Sequence, residues 1–251
     1  RNVKMEAKPF AVGVRIIHPQ EMINKNQYPI NYPFLPPASY KLTFKSKSGH
    51  GVYSFCMCPG GYVVNARSTL DGICVNGMSN YKRDTKFANS AIVVTVGPDQ
   101  YGKNVFDGIK FQEELEHKAF VVGNGFIPIQ KYVDYKNNRV SNNINIEAFK
   151  GNTSYGDINQ IFSKFINDNL KEGIDYFNNK IDGFNSEVAV IAGVEARTSS
   201  PVRILRDDSC ICGIYPCGEG AGYAGGITTS AMDGLRVFEN IYKKYKSDRN
   251  E

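Results

Sequence analysis

The sequence predicts an α+β fold, with a mixed sheet and helices followed by a closing segment of α/β type. Three observations support this fold class: short β-rich runs separated by glycine turns, a middle region with helical periodicity, and a strand–glycine turn–helix segment near the end. The 251 residues are 41% hydrophobic and 22% charged, which is ordinary globular usage. A chain of this length and composition can bury a substantial core.

The first predicted element is a β-rich run from Pro9 to Ile17, which His18-Pro19 ends. Pro19 can serve as the first residue of a short helix through residue 23, because its fixed φ suits that position. Four prolines between residues 28 and 37 predict a loop. Strand-like runs follow at 40–44, 52–57, 62–65, 72–75 and 91–96. Gly60-Gly61 and Asp71-Gly72 supply turns between these runs and indicate a small antiparallel sheet.

The middle of the chain is predicted to be helical. Apolar residues recur at helical spacing from Phe106 to Val122, and an Asn-rich loop is expected at 135–145. Asp157 and Gln160 match a capping box, which predicts a helix whose apolar positions run to Leu170. A second helix is expected through residues 174–181.

The last third of the chain has a different pattern. The apolar run from Val188 to Val194 is typical of a strand buried on both faces, and a short strand is expected from Cys210 to Tyr215. A glycine-dense turn follows, and then a helix on which apolar residues keep a period of 3.6: Ile227, Ala231, Leu235, Phe238, Ile241 and Tyr242. A strand, a glycine turn and a helix form the setting that phosphate or cofactor binding requires.

The glycines between residues 213 and 226 have two interpretations. In the first, they only form a tight turn and allow close helix packing. However, each glycine costs about 0.5–1 kcal/mol of backbone entropy relative to alanine, so their density favours a flat ligand lying against bare backbone. The N-terminus of the following helix would favour negative charge on such a ligand.

A stand-alone nucleotide site is a third interpretation of the same turn, because Gly220, Gly222 and Gly225 match the G-x-G-x-x-G spacing. A dinucleotide fold also needs a second parallel strand that ends in an acidic residue. In this sequence the helix runs into Lys243-Lys244, and Glu251 is the last residue, so no such strand is expected to follow. This interpretation is therefore disfavoured.

Six segments together resemble a group of largely uncharacterised bacterial FAD-dependent dehydrogenases, which are akin to other two-domain flavoproteins. The segments are Lys8–Arg15 (KPFAVGVR), Tyr53–Gly61 (YSFCMCPGG), Asn76–Ser79 (NGMS), Asn89–Ala91 (NSA), Glu195–Arg203 (EARTSSPVR) and the glycine turn. The resemblance covers nearly the whole chain, with its motifs in the right order.

The resemblance implies a division of the chain into three parts. Residues 1–17 would lead from the FAD domain, 18–185 would form an inserted substrate or cap domain, and 186–251 would complete a Rossmann-like FAD-binding domain. The first βαβ unit of such families, with its phosphate-binding motif, precedes the region that this sequence covers. The chain in isolation is therefore expected to bind FAD weakly or not at all, and its expected partner is the N-terminal FAD-binding half of the same protein.

The resemblance also implies an oxidoreductase that transfers electrons as hydride through FAD, with an unknown small-molecule substrate. The residues expected beside the ribityl chain and flavin ring are Gly218, Glu219, Gly220, Ala221, Gly222, Gly225, Gly226 and Ile227. Glu219 would either bond a ribityl hydroxyl or only cap the turn.

Arg197 and Arg203 are expected to contact an anion or the flavin edge, with Thr198 and Ser199 as donors. The alternative is that the two arginines are solvated charges around a turn. No catalytic residue and no general base can be named.

Several other functions are disfavoured by composition. The net charge of +5 is spread along the chain, which argues against nucleic acid. No apolar run approaches the 18 residues of a membrane span, so no membrane-spanning helix is expected. The resemblance implies a bacterial protein, and cysteines expected to be reduced favour the cytoplasm. The alternatives kept open are a non-catalytic binding or partner module and a thiolate metal protein.

The cysteines are expected to be reduced and to act as small buried hydrophobes. Cys56 and Cys58 are alternate residues of a predicted strand, so both should face the same side. A metal or iron–sulfur site could draw on Cys56, Cys58, Cys210, Cys212 and Cys217, but no C-x-x-C pair exists, so no metal is expected. A redox role for Cys217 beside the flavin is a further alternative.

Overall fold

The computed structural model describes residues 3–30, 34–206 and 213–246. The chain divides into two compact units. The smaller comprises residues 1–10, 96–111 and 198–251, and the larger comprises residues 11–95 and 112–197.

The strands are β1 (Met5–Ala7), β2 (Phe10–Pro19), β3 (Thr43–Lys45), β4 (Gly51–Cys58), β5 (Gly61–Asn65), β6 (Val75–Ser79), β7 (Phe87–Val96), β8 (Ile127–Lys131), β9 (Phe149–Lys150), β10 (Thr153–Tyr155), β11 (Val190–Glu195) and β12 (Val202–Ile204). The helices are α1 (Gln20–Gln27), α2 (Pro98–Tyr101), α3 (Asp107–Val122), α4 (Tyr132–Lys136), α5 (Lys164–Phe177) and α6 (Ile227–Tyr245).

The larger unit contains a seven-stranded mixed sheet with strand order β10-β8-β11-β2-β7-β4-β3. The edge strand β10 is parallel to β8, whereas β11 is antiparallel to both β8 and β2. Strand β2 is buried along nearly its whole length, which explains its unbroken apolar sequence. The α+β fold class that the sequence predicts is therefore confirmed.

A second, three-stranded sheet with the order β6-β5-β9 belongs to the same unit. Strand β5 is antiparallel to β6 and parallel to β9. The predicted single antiparallel sheet was therefore wrong, because β4 and β7 belong to the large sheet and β5 and β6 to the small one. Hydrophobic periodicity locates a strand along the chain but does not specify its partner, and β9 comes more than 80 residues after β5.

Helix α5 packs against β3 and β4. A methyl group at Gly173 would lie 2.5 Å from Val52 Cγ1, so only glycine permits this close approach. The predicted helix start at Asp157 is instead a single turn of 3-10 helix, Ile158–Gln160, that Asp157 caps. Ser163 then caps α5, which runs unbroken where the sequence predicted two helices.

The predicted helix between Phe106 and Val122 is confirmed as α3. Helix α1 begins one residue later than predicted because Pro19 is its N-cap.

In the smaller unit β1 pairs antiparallel with β12, with Met5 opposite Ile204 and Ala7 opposite Val202. Residues 213–226 form a turn, so the described part of the predicted strand from Cys210 to Tyr215 is not a strand; residues 210–212 lie outside the described residues. Helix α6 contains all the predicted apolar positions, but its apolar stripe is exposed and only Asp233 and Val237 of the helix are buried.

Candidate functional site

The glycine turn is held in place by the strand β12. The backbone N–H of Ile204 donates to the carbonyl of Ala221 at 3.1 Å, and the hydroxyl of Tyr223 donates to the carbonyl of Ile204 at 2.9 Å. Within the turn, the N–H of Gly222 donates to the carbonyl of Glu219 at 2.8 Å. These bonds fix the backbone from 218 to 223 as a defined surface.

The glycines of this turn are not all required for the same reason. Gly222 has a φ of +84°, and a Cβ there would lie 2.4 Å from the carbonyl oxygen of Val202, so conformation and packing both demand glycine. Gly220 has no left-handed φ, and an added Cβ would meet no atom within 4 Å. Nothing in the described part of the chain therefore requires glycine at 220, and its backbone is open to an approaching ligand.

The Asp233 carboxylate connects helix α6 to the glycine turn. The Asp233 carboxylate accepts from the backbone N–H of Gly218 at 2.8 Å and from both terminal nitrogens of Arg206. Arg206 also donates to the carbonyl of Pro216 at 2.6 Å and stacks 3.5 Å from the centroid of the Tyr223 ring. The hydrogen bond from Arg206 lowers the pKa of Asp233, so this carboxylate is ionised at neutral pH.

Two cationic side chains of the smaller unit lie beside the turn. The Lys8 ammonium donates to Ser199 Oγ at 3.2 Å and to the carbonyl of Ser200 at 3.1 Å. Burial lowers the pKa of Lys8, and the charge of Arg203 lowers it further, while Glu219 acts in the opposite direction. Arg203 donates to the carbonyl of Gly222 at 3.3 Å. Sequence reasoning did not single out Lys8, although it opens the first segment of the resemblance.

The predicted cofactor residues fall into two groups. Those from Gly218 to Ile227 are brought together with Ser199, whose Cβ would lie 3.6 Å from a Cβ at Gly225. Gly226 is the N-cap of α6, and no side chain of the described residues caps that helix. Arg197 belongs to the larger unit, where it forms a two-bonded ion pair with the buried Glu116 at 2.6 and 2.9 Å.

A second polar centre, around Arg15, lies in the larger unit. The Arg15 side chain is fully buried, and its five N–H groups all have acceptors. Two of the bonds go to the Glu195 carboxylate at 2.6 and 2.7 Å. The others go to the carbonyl of Cys56 at 2.9 Å, Asn89 Oδ1 at 3.0 Å and Asn76 Oδ1 at 3.1 Å. We name these five residues the Arg15 cluster.

Each member of the Arg15 cluster comes from a different segment of the resemblance. Gly77, beside Asn76, lies so close that an added Cβ would be 2.3 Å from Arg15 Nη1. The side-chain oxygens of Asn76 and Asn89 face Arg15, so their amide nitrogens point away from it. Asn89 Nδ2 is buried and has no partner among the residues that the structure describes. Sequence reasoning quoted all five segments but missed the cluster, since Arg15 and Glu195 are 180 residues apart.

A bulge in β4 shapes one side of this cluster. Phe55 lies opposite Ala91 and Cys58 opposite Asn89, so two residues of β4 face one residue of β7. Cys56 has a φ of +44° and is exposed, and Cys58 is half-buried. The bulge breaks the strand alternation, which explains why the prediction of a buried Cys56 was wrong.

Among the other described cysteines, the prediction of burial is confirmed for Cys74 and wrong for Cys217, which is exposed. No group of three or more His, Cys, Asp or Glu side chains is placed to hold a metal ion within residues 3–30, 34–206 and 213–246. Cys210 and Cys212 lie outside these ranges. None of the helices in the described part of the chain is both long enough and apolar enough to cross a bilayer.

The larger unit also has a cavity of about 240 Å³, whose lining includes Ile17, Phe87, Phe149, Lys131 and Glu187. Pockets for drug-sized ligands begin near roughly 300 Å³. His18 contributes to the same lining, and its Nε2 donates to the carbonyl of Phe184 at 2.8 Å. Burial lowers the pKa of His18 to about 4. We assign no substrate to this cavity because of its size.

Two comparisons with known proteins bear on the whole chain. Residues 9–198 match the family described as FAD-dependent protein, C-terminal domain-like. An uncharacterised protein of Clostridium beijerinckii is 45% identical over 256 aligned residues, which cover 97% of this chain. The chain spans about half (48%) of the length of that relative. With three quarters of its residues matched, the chain belongs to the FAD-dependent protein, C-terminal domain-like family.

Proposed function

We propose that this chain is the C-terminal part of an FAD-dependent oxidoreductase and that its glycine turn contacts the flavin. The single observation that carries the proposal is the open backbone at Gly220, in a chain of an FAD-dependent family. A glycine that neither the fold nor the packing requires is expected where a flat ligand needs close approach to the backbone.

The surroundings of the turn suit the flavin. Bound FAD supplies two-electron transfer, and its reduction places negative charge at the pyrimidine end of the ring. Helix α6 begins at this turn without a side-chain cap, so its first N–H groups and its dipole can stabilise that charge. Lys8 and Arg203 add positive charge beside the same turn. In this proposal Ser199 and Thr198 supply hydrogen-bond donors.

The partner in this proposal is the N-terminal FAD-binding half of a longer protein. Helix α6 has a set of exposed, large apolar side chains: Ile227, Met232, Leu235, Phe238, Tyr242 and Tyr245. The relative from Clostridium beijerinckii is about twice as long as this chain, which gives room for a segment that covers them. We propose that this segment carries the phosphate-binding motif and that residues 1–17 and 186–251 complete the FAD domain around an inserted substrate domain, 18–185.

Complementation tests the proposal. We would purify the chain alone and together with the separately expressed N-terminal half of its own full-length protein, add FAD, remove free FAD, and record visible absorption. We expect flavin bands only for the mixture. Absence of flavin from both samples would refute the flavin contact. Bound flavin that no reduced nicotinamide or chemical reductant can reduce would refute the oxidoreductase part alone.

A pair of glycine substitutions sharpens this test. Gly220→Ala adds a Cβ where the described chain leaves space, so we expect unchanged folding and a flavin affinity weakened on the order of tenfold, since steric overlap costs about 1–3 kcal/mol. Gly234→Ala is the matched control, because its Cβ also meets nothing within 4 Å and it lies on the body of α6. Equal flavin affinity for both variants would contradict a contact at Gly220.

A further inference from the structure

We propose that Cys56 and Cys58 form a redox-active dithiol, which a low-molecular-weight disulfide oxidises to an intramolecular disulfide. This proposal is independent of the flavin contact, because every residue that carries it belongs to the larger unit.

The bulge in β4 brings the sulfur of Cys58 close to the backbone of Cys56. Cys56 is exposed and open to a small oxidant in solution, whereas Cys58 is half-buried. The sulfur of Cys58 lies 3.4 Å from the carbonyl oxygen of Cys56, so it is directed back toward residue 56.

The Arg15 cluster provides a polar setting for the inner thiol. Asn89 lies directly opposite Cys58 across the β4–β7 pair, so their side chains share a face about 5 Å apart. Asn89 is fully buried, and its Nδ2 has no acceptor within the described part of the chain. Because Arg15 donates to Asn89 Oδ1, the amide cannot rotate to give Nδ2 a different partner. When the sulfur of Cys58 gains negative charge, it can accept a hydrogen bond from Asn89 Nδ2.

Burial of Cys58 explains why it reacts second. Burial raises the pKa of the Cys58 thiol, with Arg15 lowering it and Glu195 raising it again. Cys58 therefore stays protonated at neutral pH until a partner sulfur is bound beside it. The exposed Cys56 is the sulfur that meets the oxidant.

The reaction proceeds in two balanced exchanges. The Cys56 thiol loses its proton and attacks one sulfur of the small disulfide, whose S–S bond breaks and releases one thiol. Cys58 then loses its proton and attacks the Cys56 sulfur of the mixed disulfide, and the second small thiol leaves. The protein loses two electrons and two protons, and one small disulfide becomes two thiols.

The full chain allows a direct test. We would equilibrate it with graded ratios of reduced and oxidised glutathione, quench with acid, alkylate the thiols, digest with trypsin and weigh the peptides. The tryptic peptide 48–67 contains Cys56 and Cys58 and no other cysteine. We expect it to become unalkylated and two hydrogens lighter, with one midpoint. Two alkyl groups at every ratio, or a persistent glutathione adduct, would overturn the proposal.

Variants separate the roles of the two sulfurs. Cys58→Ser should trap glutathione on Cys56, and Cys56→Ser should leave Cys58 alkylated throughout. The control Cys217→Ser changes an exposed cysteine elsewhere and should leave the midpoint of peptide 48–67 unchanged. Rapid trapping of glutathione on Cys58 in the Cys56→Ser variant would overturn the assigned order.

Asn89→Asp keeps the oxygen that Arg15 binds but replaces the unpaired donor with a negative charge. Ring closure should slow at least tenfold in this variant, as followed by the lifetime of the mixed disulfide. An unchanged rate would remove Asn89 from the proposal.

Discussion

Arg15 is a fully buried cation, and the free energy of keeping it there depends on every one of its acceptors. Its ion pair with Glu195 is shielded from water on both sides, with exposed side-chain fractions of 0% and 7%. Desolvation of two such charges is costly, so the pair is tolerated only because both are bonded to each other and to further polar groups.

Arg15→Met is therefore expected to lower the free energy of unfolding by about 3–5 kcal/mol, because Glu195 would keep a buried charge without a partner. Urea unfolding would measure this change. The control Lys164→Met removes an exposed pair with Asp168, whose loss should cost about 0.5 kcal/mol or less. Equal effects of the two substitutions would contradict a dominant role for burial.

His18 gives the larger unit a pH-dependent stability. In the folded chain its Nε2–H donates to Phe184, Nδ1 has no partner, and burial lowers its pKa to about 4 from an ordinary value near 6.5. Between these values the unfolded chain binds a proton that the folded chain does not. Stability is therefore full above about pH 6.5 and falls by about 3 kcal/mol as the pH falls toward 4.

His18→Asn should remove that slope, whatever its effect on stability at neutral pH. The measurement is the urea midpoint at intervals between pH 4 and 7 for both proteins. Carboxylates titrate in both chains, so the difference between the two curves isolates His18. Parallel curves would show that protonation of His18 is not linked to unfolding.

At the scale of elements, the joint between the glycine turn and α6 depends on one carboxylate. Asp233→Asn keeps the shape of the side chain but loses the ion pair with Arg206 and weakens the bond to the Gly218 amide. Hydrogen bonds to charged groups contribute about 1.5–3 kcal/mol, so hydrogen exchange of the Gly218 amide should accelerate roughly tenfold or more. Glu239→Gln, an exposed change on the same helix, should leave that amide unaffected.

The elements themselves were predictable where one local pattern dominated. Helices α3 and α6 and strand β2 follow from periodicity or from a continuous apolar run. Helix α5 was misplaced because Ser163, which caps it, competes with the equally plausible cap at Asp157. The bulge at Cys56 was also missed, since it depends on the pairing of β4 with β7 and not on the sequence of β4 alone.

At the scale of the whole molecule, the two sites differed in how far the sequence could reveal them. The density of glycines marked the turn around Gly220 directly. The Arg15 cluster gave no comparable signal, because its members lie on strands and loops that only the sheet pairing brings together. Arg15 in isolation is an ordinary polar residue of an apolar strand.

The exposed stripe of α6 should govern how this chain behaves in isolation. Phe238→Ser and Leu235→Gln together remove two of its large apolar side chains, with exposed fractions of 62% and 64%. Sedimentation at increasing concentration should show less self-association than in the original chain. The same variant should lose flavin complementation by the N-terminal half. Undiminished complementation would show that this stripe does not face that half.

The 180-residue separation of Arg15 and Glu195 also has a kinetic consequence. Closing so long a loop costs more chain entropy than any local contact, so this ion pair is expected to form after the strands around it have been assembled. Contacts that form late are absent from the transition state, and their loss accelerates unfolding while hardly slowing refolding. The Arg15 cluster is therefore expected to slow unfolding and so to lengthen the lifetime of the folded chain.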